Sequence, residues 1–152
     1  MAAMAAMAAM ATITAAVTAN DASAPLFFNS HQGTTMAKLS THVLDITQGK
    51  PAAGVKLALY AIAPHGKALI KTEVTNAEGR CSAPLLEGDA MHTGQYELVF
   101  DAGDYFAAQG IALPTPRFID RVTLAFGIAD AGQNYHVPLV VSPWAYSTYR
   151  GS

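Results

Sequence analysis

The sequence predicts an all-β sandwich, and two patterns carry that prediction. From residue 39 onwards, short apolar segments alternate with clusters of Gly, Pro, Asn and Asp, at the spacing of about 8–12 residues that sandwich domains have. Residues 104–109 have the pattern of one short helix, with Asp104 near its start and Gly110 as its stop. Long βαβ units do not fit between the turns, which argues against a parallel α/β fold.

Seven or eight strands are predicted in this part of the chain, and seven of them have definite bounds. In the second strand, Val55, Leu57 and Leu59 share one face, as in a half-buried strand. The turn at residues 76–79, Asn-Ala-Glu-Gly, is of the kind that joins antiparallel strands. Pro84 interrupts the fourth strand. The predicted strands cover residues 39–45, 55–62, 68–75, 80–86, 94–100, 121–128 and 135–141.

The composition fits one domain with a sizeable core. The chain has 152 residues, of which 51% are hydrophobic and 13% are charged. The formal charge of −2 does not favour a nucleic-acid partner, and no segment is apolar for long enough to span a membrane. The low charge favours surface that is buried against other subunits. Cys81 is the one cysteine, and we interpret it as a small strand residue rather than a nucleophile.

Residues 1–38 differ from the rest and are predicted to be a disordered or targeting-like extension. Met1 to Met10 is a Met-Ala-Ala repeat, and Lys38 is the first Lys or Arg of the chain. A secretory signal normally has a basic first region, which is missing here, although Val17-Thr18-Ala19 has the small residues of a cleavage site. The sequence favours a cytoplasmic protein, with the periplasm as the alternative.

Two histidines and one arginine lie in contexts that suit catalysis. His42 lies in the apolar segment 39–45, His136 lies next to Val137, and Arg80 directly follows the turn at residues 76–79. A histidine exchanges protons near neutral pH, and an arginine holds imide or urea oxygens through paired N–H groups. A purely structural role is the alternative for each histidine. Zinc sites normally need three or four ligands, so two histidines do not predict a metal site.

The C-terminal tetrapeptide is unusually rich in functional groups. Tyr149, Arg150, Gly151 and Ser152 follow an apolar, aromatic run at residues 136–148, so we expect the chain end to be packed rather than frayed. A phenol, a guanidinium, a hydroxyl and a carboxylate together suit the recognition of a small, polar, planar molecule. His65 and His92, which lie in polar turn-like stretches, are interpreted as surface residues.

Four motifs in order resemble the 5-hydroxyisourate hydrolases, the enzyme branch of the transthyretin-like proteins. The resemblance covers residues 39–152. The motifs are Leu-Ser-Thr-His-Val-Leu-Asp at 39–45, Asn-Ala-Glu-Gly-Arg at 76–80, Gly-Asp-Tyr-Phe at 103–106, and the stretch from Tyr-His-Val-Pro-Leu at 135–139 through Ser-Pro-Trp at 142–144 to the tetrapeptide.

The resemblance implies a transthyretin-like sandwich of two four-stranded antiparallel sheets with one short helix. It also implies a homotetramer, a dimer of dimers, with active sites in the channel between the dimers. The reaction would be the ring opening of 5-hydroxyisourate to 2-oxo-4-hydroxy-4-carboxy-5-ureidoimidazoline in urate degradation, with no cofactor. Carried over residue by residue, the catalytic residues are His42, Arg80, His136 and Ser152, and His42, Arg80, Tyr149 and Arg150 bind substrate.

The chemistry of these side chains agrees with that reaction. Ring opening of an acyl-urea needs an activated water, a proton relay and stabilisation of a developing oxyanion. Either His42 or His136 would activate the water, Arg80 would polarise the substrate oxygens, and Ser152 would orient substrate or water through its hydroxyl or its carboxylate. A transthyretin-type carrier of small ligands, and a non-catalytic structural sandwich, are the alternatives.

Overall fold

The computed structural model describes residues 36–151, and in this range strands predominate. The predicted extension at 1–38 therefore falls almost entirely outside the described residues, and so does the predicted site residue Ser152. One helix, α1 (Ala102–Ala108), and one turn of 3-10 helix (Gly88–Ala90) accompany eleven strands in the described range. The strands are β1 (Lys38–Ser40), β2 (Val43–Asp45), β3 (Lys50–Pro51), β4 (Lys56–Ala63), β5 (Gly66–Val74), β6 (Leu86–Glu87), β7 (Gly94–Phe100), β8 (Val122–Ile128), β9 (Tyr135–His136), β10 (Leu139–Val141) and β11 (Tyr146–Thr148).

One layer of the sandwich is a four-stranded antiparallel sheet in the order β5-β4-β7-β8. Its strands lie within two residues of their predicted positions at each end, and β7 coincides with the predicted 94–100. A bulge between Leu59 and Tyr60 shifts the register of β4 against β5. Alternating side chains of β4, β7 and β8 are buried, as period-2 patterning requires.

The other layer differs in detail from the prediction. It consists of a three-stranded sheet, β6-β1-β9, and a four-stranded sheet, β11-β10-β2-β3, and the pairs β1/β9 and β2/β10 are parallel. The predicted single strands 39–45 and 135–141 are each divided in two. Backbone pairing nevertheless continues across the division, because Val137 N donates to Ser40 O at 2.9 Å and Leu139 N donates to His42 O at 2.8 Å. The all-β sandwich with one short helix is confirmed.

Pro138 explains why the pairing with the C-terminal segment is interrupted. Successive N–H groups of a strand point to opposite sides. Those of Val137 and Leu139 both point towards the segment of residues 40–42. Residue 138 would therefore donate towards the C-terminal segment, but proline has no N–H. The antiparallel pairing ends at Thr148 and returns only where Gly151 N donates to His136 O at 2.9 Å.

Three further predictions were wrong about where a strand or the helix begins or ends. The predicted strand 80–86 is reduced to a single pairing at Arg80 and the short β6, since Pro84 cannot donate to a ladder. Residues 50 and 51 lie outside every predicted strand but form β3, which pairs with β2. The helix begins at Ala102, two residues before the predicted start.

The core lies between the two layers and under α1. Phe100 and Phe106 are its largest fully buried side chains. The helix is fixed by Tyr105, whose hydroxyl donates to Oδ2 of the buried Asp45 at 2.9 Å. Burial and this neighbouring carboxylate raise the pKa of Tyr105 to about 12, so the phenol stays protonated. Within residues 36–151 no helix is long and apolar enough to cross a membrane.

Candidate active site

The turn at residues 76–80 places Arg80 directly opposite His42. The Asn76 side chain closes the turn, since its Oδ1 accepts from Glu78 N at 2.9 Å and from Arg80 N at 3.1 Å. Gly79 has φ +70°, a left-handed conformation that favours glycine. His42 and Arg80 then pair as an isolated antiparallel bridge. A local turn sequence thus brings a guanidinium and an imidazole onto neighbouring segments.

The second histidine is brought to the same place by the parallel strand pair. His136 in β9 lies in register with Ser40 in β1. Ser40 is two residues before His42, so both lie on the same strand face. The Ser40 Oγ lies 2.9 Å from His136 Nδ1. His42, Arg80 and His136, which are far apart in the chain, therefore occupy adjacent segments of one layer.

Both histidines are held in the neutral state near pH 7. Burial and the nearby positive charge of Arg80 lower the pKa of His42, and the backbone and carboxylate of Glu78 act in the opposite direction. Burial, Arg80 and His42 lower the pKa of His136. A neutral imidazole can take a proton from water, so the electrostatics suit a general base.

The Nε2 atom of His42 is buried and lacks a hydrogen-bond partner within the described part of the chain. Leaving a buried polar group unpaired typically costs about 1–3 kcal/mol. Such an atom is therefore uncommon in a folded protein, and functional sites are one of the places where it occurs.

Two glycines pack directly against the two imidazole rings. A Cβ atom on Gly79 would lie 3.2 Å from His42 Cδ2 and would also overlap the backbone oxygen of Val43. A Cβ atom on Gly151 would lie 2.7 Å from His136 Cδ2. Any larger residue at either position would displace the ring or the backbone, so both glycines define where the histidines lie.

The side chain of Arg150 has other neighbours within the protomer. The Arg150 guanidinium lies 4.8 Å from the centre of the Tyr135 ring and donates to Gln133 Oε1 at 2.8 Å. Tyr149 is exposed. Tyr135 and His136 are consecutive in a strand and point to opposite faces, so Arg150 lies on the face away from the His136 ring.

An open depression of about 210 Å³ adjoins the cluster, and Ser40 and Arg80 are among its lining residues. A larger depression of about 620 Å³ lies on the outer face of the β5-β4-β7-β8 sheet, lined by residues such as Lys56 and Arg121. It contains none of the predicted site residues. The smaller depression is lined by one of them, Arg80, and by neither histidine. In residues 36–151, no three His, Cys, Asp or Glu side chains are grouped to hold a metal ion.

Comparison with known proteins identifies the family. A family model described as HIUase/Transthyretin matches residues 39–151, most of the chain. The chain belongs to the HIUase/Transthyretin family. The family predicted from the sequence motifs is thereby confirmed.

Individual members of the HIUase/Transthyretin family are similar over nearly the same range. The 5-hydroxyisourate hydrolase of Ralstonia nicotianae is 56% identical over 117 residues, which cover 77% of this chain and 100% of that protein. The solved structure of Klebsiella pneumoniae 5-hydroxyisourate hydrolase has 34% identity and a TM-score of 0.64, covering 77% of this chain and 100% of that one. A crystal structure of (S)-allantoin synthase has 41% identity and a TM-score of 0.74, covering 78% of this chain but only 44% of the synthase chain.

In this HIUase/Transthyretin chain, the predicted site residues fall into two groups. The structure brings His42, Arg80 and His136 together, and the tetrapeptide reaches them through the backbone of Gly151. The Arg150 side chain instead contacts Gln133 and Tyr135 within the protomer, and Tyr149 is exposed. Their assignment to substrate binding stays a prediction.

Sequence reasoning did not identify Ser40, Gly79 and Gly151 as residues that contact the two histidine rings. Ser40 lies two residues before His42, so the period of a strand places both on one face. That spacing was a usable signal for Ser40. No comparable local signal marked the packing of the two glycines, because each contact joins a glycine to a histidine on another segment.

Proposed function

We propose that this chain is a hydrolase that opens the ring of 5-hydroxyisourate to give 2-oxo-4-hydroxy-4-carboxy-5-ureidoimidazoline in urate degradation. The observation that carries the proposal is the buried, unpartnered Nε2 of His42, beside a neutral His136 and the cationic Arg80. The 56% identity to a protein named for this activity supports it.

The reaction adds one water across a ring C–N bond. One imidazole takes a proton from the water as its oxygen attacks the carbonyl carbon, and a proton is returned to the ring nitrogen as the C–N bond breaks. The two neutral histidines divide these tasks, and either of them suits the first. No cofactor is required for this addition of water.

Arg80 stabilises the negative charge that develops on the attacked carbonyl oxygen. Its side chain is exposed, and no Asp or Glu within residues 36–151 forms an ion pair with it. Its N–H donors are therefore not neutralised by a carboxylate of the described chain. A guanidinium directed at an oxyanion is worth about 10²- to 10³-fold in rate, by analogy with other oxyanion donors.

The test is hydrolysis itself. Purified protein should accelerate the decay of freshly made 5-hydroxyisourate, and His42→Ala should remove most of that acceleration. His65→Ala is the matched control, because His65 is an exposed residue of the β4–β5 turn. A folded protein without any acceleration would contradict the proposal, and so would equal loss in both variants.

We further propose a homotetramer, a dimer of dimers, with the sites in the channel between the dimers. β8 and β11 are edge strands of their sheets, and each pairs on one side only within the described residues. Trp144, Tyr146 and Tyr149 are large hydrophobic residues that are at least half exposed in the protomer. In the tetramer Tyr149 and Arg150 would line the pocket. The test is light scattering, which should give a mass four times the 15.9 kDa of one chain.

A ligand carrier of the transthyretin type is the second candidate for the same channel. The fold alone does not separate a carrier from an enzyme, since the family name covers both. The carrier would bind small aromatic ligands without turnover. Two neutral histidines beside an arginine would have no role in such a carrier. Binding of such a ligand together with absent hydrolysis would favour it.

For the compartment we propose the cytoplasm, with the periplasm as the alternative. N-terminal sequencing of the mature protein from its native host tests this proposal. A mature chain that starts just after Ala19 would instead place the protein outside the cytoplasm.

A further inference from the structure

The Ser40 hydroxyl is the one hydrogen-bond partner of the His136 ring within the described residues. The Oγ–Nδ1 distance of 2.9 Å is in the range of a good hydrogen bond, and the contact is partly buried. The two residues are 96 positions apart in the chain and are brought together by the register of β1 against β9. The contact is therefore a product of the fold and not of local sequence.

We propose that Ser40 is a positioning residue that fixes the tautomer and orientation of His136. In this arrangement Nδ1–H donates to Ser40 Oγ, and the lone pair of Nε2 is left to take the proton in catalysis. The inference rests on the proposed hydrolase function for the use of the proton, but the hydrogen bond itself is independent of any substrate.

The chemistry of imidazole explains why one contact has this effect. In the neutral ring one nitrogen is a donor and the other an acceptor, and the partner of one nitrogen decides the role of the other. A hydroxyl oxygen that accepts from Nδ1 favours the tautomer with its lone pair on Nε2. The same hydrogen bond strengthens when the ring becomes charged, so it partly offsets the effect of burial and of Arg80.

Other contacts restrict the ring on its remaining sides. Gly151 packs against the ring edge, where an added Cβ would lie 2.7 Å from His136 Cδ2, and its N–H donates to the His136 carbonyl at 2.9 Å. Ser40 thus acts on a side chain whose backbone is already fixed. Removing the hydroxyl would free mainly the ring rotation and the tautomer, rather than the strand.

The experiment compares Ser40→Ala with Ser40→Thr, which keeps a hydroxyl. We expect Ser40→Ala to lower kcat by roughly 10- to 100-fold, as loss of an orienting partner typically does, and Ser40→Thr to restore much of the rate. Thr41→Val is the matched control, because Thr41 Oγ1 donates to the Val137 carbonyl at 2.8 Å on the same pair of segments and not to a histidine ring. It should lower the melting temperature without changing the pH profile.

A second measurement does not depend on activity. Nitrogen chemical shifts from NMR report the tautomer and the pKa of His136 in the free protein. In Ser40→Ala the pKa of His136 should fall, because the hydrogen bond to the charged ring is lost, and the tautomer should become mixed. The acid limb of kcat/KM should move to lower pH in the same direction.

The outcomes separate this inference from the proposed function. A His136 pKa that rises in Ser40→Ala would mean that the serine donates to Nδ1, and an unchanged pKa and tautomer would mean that the contact is incidental; either overturns the inference. A wild-type protein that lacks hydrolysis but whose His136 loses its tautomer preference in Ser40→Ala would refute the proposed function and leave the positioning contact standing.

Discussion

Gly151→Ala is the sharpest perturbation of the site, because it adds one methyl group at a known distance from a proposed catalytic ring. The new Cβ would lie 2.7 Å from His136 Cδ2 and 3.0 Å from its Cβ. Carbon atoms pack at about 3.5–4.0 Å, so the ring or the chain end must move by roughly 0.8 Å. A displacement approaching 1 Å at a reacting group can cost about 100-fold in rate.

We therefore expect Gly151→Ala to lower kcat by roughly 10- to 100-fold with little change in stability. Gly151 lies near the chain end, outside the hydrophobic core. The substitution should therefore change the free energy of unfolding of the protein by less than about 0.5 kcal/mol. Initial rates of 5-hydroxyisourate hydrolysis give kcat and KM, and thermal unfolding gives the stability. Gly132→Ala is the matched control, because its added Cβ would meet only a side-chain oxygen of Asp130 at 3.2 Å.

Two results would refute this reasoning. Wild-type kcat in Gly151→Ala would mean that the chain end adjusts without moving His136, or that His136 takes no part in the rate. An equal loss of rate in Gly132→Ala would mean that the assay responds to general disturbance of this edge of the molecule. A fall in kcat confined to Gly151→Ala supports a site that depends on the placement of the His136 ring.

Four further predictions concern the site and its support. Deleting residues 149–152 should lower activity by at least about 100-fold while the circular dichroism of the sandwich survives; wild-type turnover would refute a catalytic tail. Because burial and Arg80 lower the pKa of both His42 and His136, the midpoint of the acid decline of kcat/KM should lie below pH 6.5, the ordinary histidine value. The free energy of unfolding should also decrease below pH 6.5, since the unfolded chain takes up protons first; stability that rises on acidification there would contradict the lowered pKa values. Tyr105→Phe should cost about 1–3 kcal/mol in urea unfolding by leaving the buried Asp45 one donor short, and an unchanged midpoint would show that water replaces the phenol.

The antiparallel sheet was predictable from the sequence because its strands are long and strongly patterned. β7 is bounded by Gly94 and carries alternating buried residues, and β8 begins one residue from its predicted start. The divided strands of the other layer were not predictable in the same way. Residues 39–45 and 135–141 each show an unbroken apolar pattern, and the division depends on which neighbour each backbone group finds.

The candidate site was predictable as a set of residue types but not as a geometry. His42, Arg80 and His136 were identified from their contexts and from the motifs, yet periodicity within a segment carries no information about contacts with a distant segment. The pairing of His42 with Arg80 and the register of Ser40 with His136 are both long-range products of the folded sheet. The protonation state of the two histidines could be inferred only from the structure, because it depends on their burial and on the nearby charge of Arg80.

The interruption of regular pairing around His42 and Pro138 links the fold to the chemistry. An uninterrupted ladder would engage the backbone on both sides of each strand and leave no place for the turn at residues 76–80. Here His42 pairs with Arg80 instead, and Pro138 releases the C-terminal segment so that it rejoins the layer only at Gly151, against the second imidazole. Replacing Pro138 with Ala would supply the missing N–H, and pairing could then extend past Thr148 in the same register that already places Gly151 opposite His136. Because the register is unchanged, we expect that variant to be at least as stable as the wild type by urea unfolding and to hydrolyse at a similar rate, whereas a slower rate would mean that the interruption itself helps to position His136.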